Sequence, residues 1–295
     1  MPLVNSDSLA APRAAGDYAP GMNLRRALLL VLSPLLGGIG GCATPRLFAP
    51  DRAGGFVLQA GPRPYYVYLP AEWSAGRSWP VIVYLHGMGE SGDDGVSPTQ
   101  VGLGPVVWRS KGAFPAIVVF PQAPRRSYWG MPRNNEAVLA ALDEVLASYH
   151  GDPSRVYLTG SSLGGYGTWF LGSLHPERFA ALVPICGGVR GRAPSPDAPM
   201  AGIADDQRAA EAARRIGRTP VWIFHGALDP RVPVGSSREL YQALKAAGGD
   251  VRYTEYPDVG HDSWDRAYAD PELLRWLLAQ RLAPGAARPA PSRQP

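Results

Sequence analysis

The sequence predicts a doubly wound α/β fold, built on a mostly parallel sheet of about eight strands. Three observations predict it. Short β-branched or aromatic runs bounded by Gly or Pro recur through residues 55–282. Helical patterns separate the later runs. The central runs VIVYLH, AIVVF and VWIFH are apolar on both faces, as strands covered by helices on both sides must be.

In chain order, the strands are expected at Phe56–Gln59, Tyr65–Leu69, Val81–His86, Ala116–Phe120, Arg155–Thr159, Ala180–Ile185, Val221–His225 and Val251–Tyr256. The first helix is expected over Asn135–Tyr149, with Val138, Leu139, Leu142, Val145 and Leu146 on one face. Gly165–Leu174, Gln207–Ile216 and Ser236–Ala247 follow, and Pro271–Leu282 starts after Asp270 as its N-cap. The longest candidate insertion is Gly188–Ile203, a Gly, Pro and Ala-rich loop expected to border the site as a small cap. The tail 283–295 has too little apolar surface to fold and is expected to be disordered.

Hydrophobic residues make up 45% and charged residues 18% of the 295 positions, which excludes wholesale disorder. The 35 Gly and 31 Pro are too many for a helical bundle. A formal charge of +4 suggests nucleic acid until the charges are placed. Setting aside the basic ends leaves 22 basic and 23 acidic groups in residues 51–280, so a nucleic-acid face is not expected. Two cysteines and five scattered histidines give neither a disulfide framework nor a metal-ligand spacing. No metal and no cofactor is expected. Cys186, ending the apolar run ALVPIC, reads as a buried, inert thiol.

The N-terminus reads as an export signal. Arg25 and Arg26 precede a 13-residue apolar stretch, Ala27 to Ile39, too short and too proline-interrupted for the roughly 20 residues of a spanning helix. Ile39-Gly40-Gly41-Cys42 then resembles the lipobox of bacterial lipoproteins, in which the cysteine is acylated. The alternative is an ordinary secretory signal that happens to contain a cysteine. Residues 22–42 are thus a signal peptide, 43–54 a linker, and 1–21 an upstream extension that is absent if translation starts at Met22. On this reading the protein is lipid-anchored at the bacterial envelope, at the outer membrane or cell surface; a periplasmic or secreted protein is the alternative.

The chemistry begins at Gly160-Ser161-Ser162-Leu163-Gly164. A bare GxSxG pattern is expected roughly 0.26 times by chance in so glycine-rich a chain, so context decides. RVYLTG before it is a strand and GYGTWFLGSLH after it a helix, the strand-turn-helix setting of a nucleophile elbow. Ser162 is thereby presented at the sheet's C-terminal edge beside a helix N-terminus; Ser161 is its neighbouring rival. A serine hydroxyl needs a base, and the base needs an orienting group. Asp229 lies 67 residues on, in the loop after VWIFH, and His261 a further 32 residues on, in the loop after VRYTEY. Asp258 is the competing acid. His86, His150, His175 and His225 are competing bases, although each sits where a structural role accounts for it.

GSSLGGYGTWFLGSLHPERFAALVPICGG, FHGALDPRVP and GHDSW together resemble the α/β-hydrolase superfamily. More narrowly, they are similar to a group of peptidases and esterases akin to polyhydroxybutyrate depolymerases, feruloyl esterases and the catalytic domain of prolyl oligopeptidases. The resemblance covers about residues 55–282 and implies an α/β-hydrolase fold with Ser162 as nucleophile, Asp229 as acid and His261 as base. Leu163 departs from the Met found in many relatives, at a position that contributes only its backbone N–H. His86-Gly87-Met88-Gly89 resembles the HGxG-type turn, which makes Met88 and Leu163 the expected oxyanion-hole donors. Trp129 and Tyr128, with Trp108 and Trp264 behind them, are candidates for lining a substrate pocket.

A serine hydrolase of carboxylic esters is the function these motifs support, while an open cleft bordered by the Gly188–Ile203 loop suits bulky or polymeric substrates. A peptidase of prolyl-oligopeptidase type and a non-catalytic binding lipoprotein are the alternatives. Nothing in the sequence fixes the oligomeric state. If Cys42 is the anchor, Cys42→Ala moves the protein out of the membrane fraction on cell fractionation; an unchanged membrane fraction rules lipidation out.

Overall fold

The computed structural model describes residues 53–61, 63–190 and 200–282. The signal run with Cys42, the tail 283–295 and most of the expected cap loop lie outside the described residues. Eight strands form one sheet: β1 Phe56–Gln59, β2 Tyr65–Tyr68, β3 Trp79–Leu85, β4 Ile117–Phe120, β5 Gly151–Ser161, β6 Ala181–Ile185, β7 Val221–Gly226 and β8 Val251–Tyr256. Their spatial order is β1-β2-β4-β3-β5-β6-β7-β8. β1 and β2 form an antiparallel hairpin, β2 pairs antiparallel with β4, and the pairings from β4 through β8 are parallel.

Seven α-helices accompany the sheet among the described residues: α1 Leu103–Arg109, α2 Pro132–Ser148, α3 Leu163–Leu174, α4 Arg208–Ile216, α5 Gly235–Ala246, α6 Ser263–Ala269 and α7 Pro271–Ala279. The strand pleat sorts them onto two faces. Val81, Val83 and Leu85 of β3 point into a core shared with α2, α3, α4 and α5. Ile82 and Tyr84 point into the opposite core with α1, α6 and α7, and Trp222 and Phe224 of β7 do the same. Burying each such side chain contributes roughly 1.5–3 kcal/mol.

All eight expected strands are present, β3 beginning two residues earlier and β5 extended at both ends. The five expected helices are also present. α2 starts at Pro132 rather than Asn135, because proline at the first helical position sacrifices no hydrogen bond. Asp270 caps α7, its carboxylate accepting the Glu272 N–H at 2.8 Å. α1 and α6 are additions to the expected elements. Each spans seven residues, too short to show a helical repeat, and α1 also carries Gly104 and Pro105.

The chain leaves β3 toward β4 on one side, then returns past β3 to build β5 to β8 on the other. The C-terminal ends of β3 and β5 thus flank the switch point where open α/β sheets bind ligands. At this edge α3 enters very close to the strands. A Cβ added at Gly164 would stand 1.8 Å from the Leu85 carbonyl oxygen, and one at Gly165 2.4 Å from that of Ile185. Gly164→Ala is therefore expected to cost at least about 3 kcal/mol and lower the melting temperature by about 6 °C or more. Gly89→Ala, with nothing within 4 Å of the new carbon, should stay within about 1 kcal/mol of wild type in the same thermal melts.

Candidate active site

Ser162 sits between β5 and α3 with φ +55° and ψ −116°, a backbone conformation that non-glycine residues rarely adopt. Its N–H donates to the Ile185 carbonyl at 3.0 Å and lies 3.3 Å from Cys186 Sγ. Its carbonyl accepts the Tyr166 N–H at 3.1 Å, closing the first turn of α3. Ser161 faces away: it is buried, with its Oγ 3.2 Å from the hydroxyl of buried Tyr84.

The structure brings Ser162, Asp229 and His261 together. The Ser162 hydroxyl donates to His261 Nε2 at 2.9 Å, and His261 Nδ1–H donates to Asp229 Oδ2 at 2.7 Å. Asp229 Oδ1 accepts the N–H groups of Arg231 and Val232 at 2.8 and 3.0 Å. The Asp229 side chain is fully buried. Burial pushes its pKa up, but the His261 hydrogen bond and the two backbone N–H groups outweigh this and hold it below the usual carboxylate range. Asp258 lies on the surface with its carboxylate in a two-pronged pairing to Arg266, at 2.7 and 3.0 Å.

The acid loop and the histidine loop are tied into one unit. The N–H groups of Ala227 and Leu228 donate to the carbonyls of Tyr256 and Val259 at 2.9 and 3.0 Å. A Cβ at Gly226 would stand 2.1 Å from the Gly260 oxygen, so the loops meet backbone to backbone. Trp264 packs edge-on against the His261 ring, centroids 5.3 Å apart.

The loop carrying Met88 runs beside Ser162: a Cβ at Gly87 would lie 3.9 Å from Ser162 Cβ. Met88 opens a 3-10 turn, Met88–Glu90, and Leu163 is the first residue of α3, where backbone N–H groups lack helical partners. The loop is braced from below by His86. His86 Nδ1–H donates to the Gly87 carbonyl, and Nε2 accepts the Ala123 N–H at 2.9 Å. Burial lowers the pKa of this ring to about 4, against the pull of the Gly87 carbonyl, so it stays neutral.

Trp129, expected to line a pocket, is placed in the core. It is 2% exposed, its indole N–H donates to the His86 carbonyl at 2.9 Å, and its ring stands edge-on to His86. Tyr128 is half-buried, and its carbonyl accepts from the Asn134 amide at 2.7 Å. Trp108, 54% exposed, stacks on Phe56.

Two residues that read as purely structural in the sequence stand at the site. Cys186 is the buried neighbour of the Ser162 amide, and burial pushes its thiol up to about 12. Its sulfur lies within 4.8 Å of ligand atoms of Asp229 and His261, but His261 Nδ1 and Asp229 Oδ2 are already hydrogen-bonded to each other, and His261 Nε2 to Ser162. The other is His225, a fully buried ring against Asp229 whose signal was its four-residue spacing from that aspartate.

The sheet order and the serine-bearing turn define an α/β-hydrolase. The chain belongs to the dienelactone hydrolase family, whose pattern matches residues 120–267, half of its length. Among solved structures, it superposes on the crystal structure of a thermostable esterase with a TM-score of 0.64 and 32% sequence identity, covering 78% of this chain and 64% of that one. It is 26% identical over 223 residues to the uncharacterized peptidase YuxL of Bacillus subtilis (strain 168), covering 65% of this chain and 32% of the relative. It is also 26% identical over 179 residues to poly(3-hydroxyalkanoate) depolymerase C of Paucimonas lemoignei, covering 56% of this chain and 40% of the relative. This chain thus spans about a third of the first relative's length and two fifths of the second's.

Proposed function

We propose that the protein is a serine hydrolase of carboxylic esters that works through an acyl-enzyme. The observation that carries this reading is the continuous chain of contacts from Ser162 Oγ through both nitrogens of His261 to Asp229 Oδ2. His261 Nε2 takes the Ser162 proton as Oγ bonds to the ester carbonyl carbon. The N–H groups of Met88 and Leu163 stabilise the oxygen that becomes negative, each worth on the order of 2.7–4 kcal/mol in the transition state. His261 then returns the proton to the leaving alkoxide. Water, deprotonated by the same ring, releases the acid from Ser162.

Esters are favoured over peptides for a chemical reason. An amine must be protonated as it leaves, which demands that the scissile nitrogen be clamped against His261, whereas an alkoxide demands less. The similarity to an esterase and to a polyester depolymerase supports the same preference. The exposed apolar side chains Met88 and Leu228, 73% and 65% accessible, sit on the oxyanion and acid loops and suit a bulky or polymeric ester. The similarity to a peptidase keeps peptide cleavage as the second reading. We read the site as facing the outside of the cell from a lipid anchor at Cys42, on the strength of the leader pattern.

Rates against aryl esters of graded acyl length and a panel of short peptides test this reading. The expected result is ester turnover with the higher kcat/KM; peptide cleavage without ester turnover replaces the ester reading with the peptidase one. Ser162→Ala should lower kcat by about 10⁶ and Asp229→Asn by about 10⁴, while Asp258→Asn and Ser161→Ala stay within about tenfold of wild type. Retained activity in Ser162→Ala with loss in Ser161→Ala overturns the nucleophile assignment.

A further inference from the structure

Asp229 carries a second imidazole. His225, the penultimate residue of β7, is fully buried, with Nε2 3.0 Å from the Val232 carbonyl and 3.2 Å from Asp229 Oδ2. Its Nδ1 lies 2.7 Å from Ser237 Oγ, at the first turn of α5. A carbonyl oxygen only accepts, so Nε2 carries the hydrogen. Burial lowers the ring's pKa, against the pull of the Val232 carbonyl and of Asp229, and the ring is neutral. Nδ1 is then a lone pair and accepts the Ser237 hydroxyl. The tautomer is fixed from both ends, and two imidazole N–H groups converge on one carboxylate oxygen, that of His261 at 2.7 Å and that of His225 at 3.2 Å.

We propose that His225 is a positioning residue, a second donor that holds Asp229 Oδ2 beneath His261 and sets the pH at which His261 becomes free to act as base. The proposal rests on the triad reading above. Each hydrogen bond to a carboxylate spreads its charge and weakens its hold on the next donor. Without the His225 N–H, Oδ2 grips the His261 imidazolium more tightly, and His261 keeps its proton to higher pH. A ring that titrated would be unsuitable, because a positive charge beside Asp229 would compete with the imidazolium that catalysis forms.

The other groups around this centre act as a constant background. The Cys186 thiol and the Tyr166 phenol are pushed up by burial and stay uncharged at neutral pH. Glu255, beside His225 on β8, is held at about 2 by hydrogen bonds from Arg238 and Tyr253 and stays a carboxylate, paired with the Arg238 guanidinium. Arg231 and Asp262 are exposed and identical in every variant compared, so their influence cancels.

His225→Asn and His225→Gln test the proposal. The asparagine amide reaches the Ser237 side but stops short of Oδ2, whereas the longer glutamine amide puts an N–H where Nε2–H stands. The expected result for His225→Asn is an acidic limb of kcat/KM moved up by about half to one pH unit, kcat down about tenfold, and KM changed less than about twofold. His225→Gln restores the limb and most of kcat. An unmoved limb in His225→Asn, or equal losses of kcat in both variants at wild-type pH dependence, reduces His225 to packing and overturns the proposal. Histidine-selective NMR titration in the Ser162→Ala background reads the His261 midpoint directly, without turnover. There the same upward shift in His225→Asn is expected, and no shift overturns the proposal even if the triad reading stands. Hydrolysis surviving in Ser162→Ala, by contrast, removes the triad reading and leaves that titration interpretable. If His225→Asn does not fold, His225→Ala takes its place: an upward-shifted His261 midpoint that His225→Gln returns to the wild-type value supports the proposal, and an unshifted one overturns it.

Discussion

The rest of the site depends on the close approach of α3 to the C-terminal ends of β3 and β6. Gly160, Gly164 and Gly165 leave no room for a Cβ: the atoms facing them are backbone carbonyls at 2.5, 1.8 and 2.4 Å from where that carbon would stand. With the helix held there, the connection from β5 must turn within one residue, and Ser162 takes the strained angles that make the turn. Such strain costs on the order of 1–3 kcal/mol and persists only where the surroundings over-determine it. Here they do so through the Ser162–Ile185 hydrogen bond and through Trp169 and Phe170 of α3, both buried in the core. One contact therefore places the Ser162 hydroxyl, points the amide end of α3 at the same space, and brings the Gly87 loop alongside.

At the neighbouring strands β7 and β8 the constraint is electrostatic. A buried carboxylate is expensive unless its oxygens are satisfied. Asp229 meets that demand with the Arg231 and Val232 amides on Oδ1 and the two histidines on Oδ2. The demand also explains why β7 and β8 end as they do. The backbone contact of Gly226 with Gly260 lets the loops following both strands close on the same carboxylate, so Asp229 and His261 sit on one hydrogen-bonded unit. Asp258 has no such cage. An exposed carboxylate already paired with Arg266 has neither the fixed position nor the desolvation that orients an imidazole.

Much of this was legible in the sequence because it is local or periodic. The two-faced apolar strands, the glycines around Ser162 and the order of serine, aspartate and histidine after β5, β7 and β8 could be read off directly. α1 and α6 could not, since a seven-residue helix buries only two or three side chains and its face is set by the sheet it packs on. Trp129 was misleading for a related reason. An aromatic near a strand end is compatible with a pocket or with a prop, and only the position of its indole N–H, under the His86 carbonyl, tells which. The partnership of His225 with Asp229 was hidden because a histidine at the end of an apolar strand has a sufficient structural explanation. What distinguishes it is the third dimension, in which Val232 and Ser237 fix its protons.

His86 and His225 solve the same problem on two different loops. A backbone loop next to a reaction centre needs a brace that keeps its geometry through every charge state of the centre. An imidazole offers one donor and one acceptor on a rigid ring, but only while it is neutral. Burial secures that condition in both: each ring is fully enclosed, and each has its pKa lowered chiefly by desolvation. The tautomers are opposite. His86 donates from Nδ1 to Gly87, and His225 donates from Nε2 to Val232 and Asp229, each set by the carbonyl within reach. His261 differs in having an exposed fraction, 11% of its side chain, and in meeting a hydroxyl and a carboxylate rather than a carbonyl. Those partners accept either protonation state of the ring. The fold thus encloses two of these three histidines and leaves His261 the one with an exposed fraction.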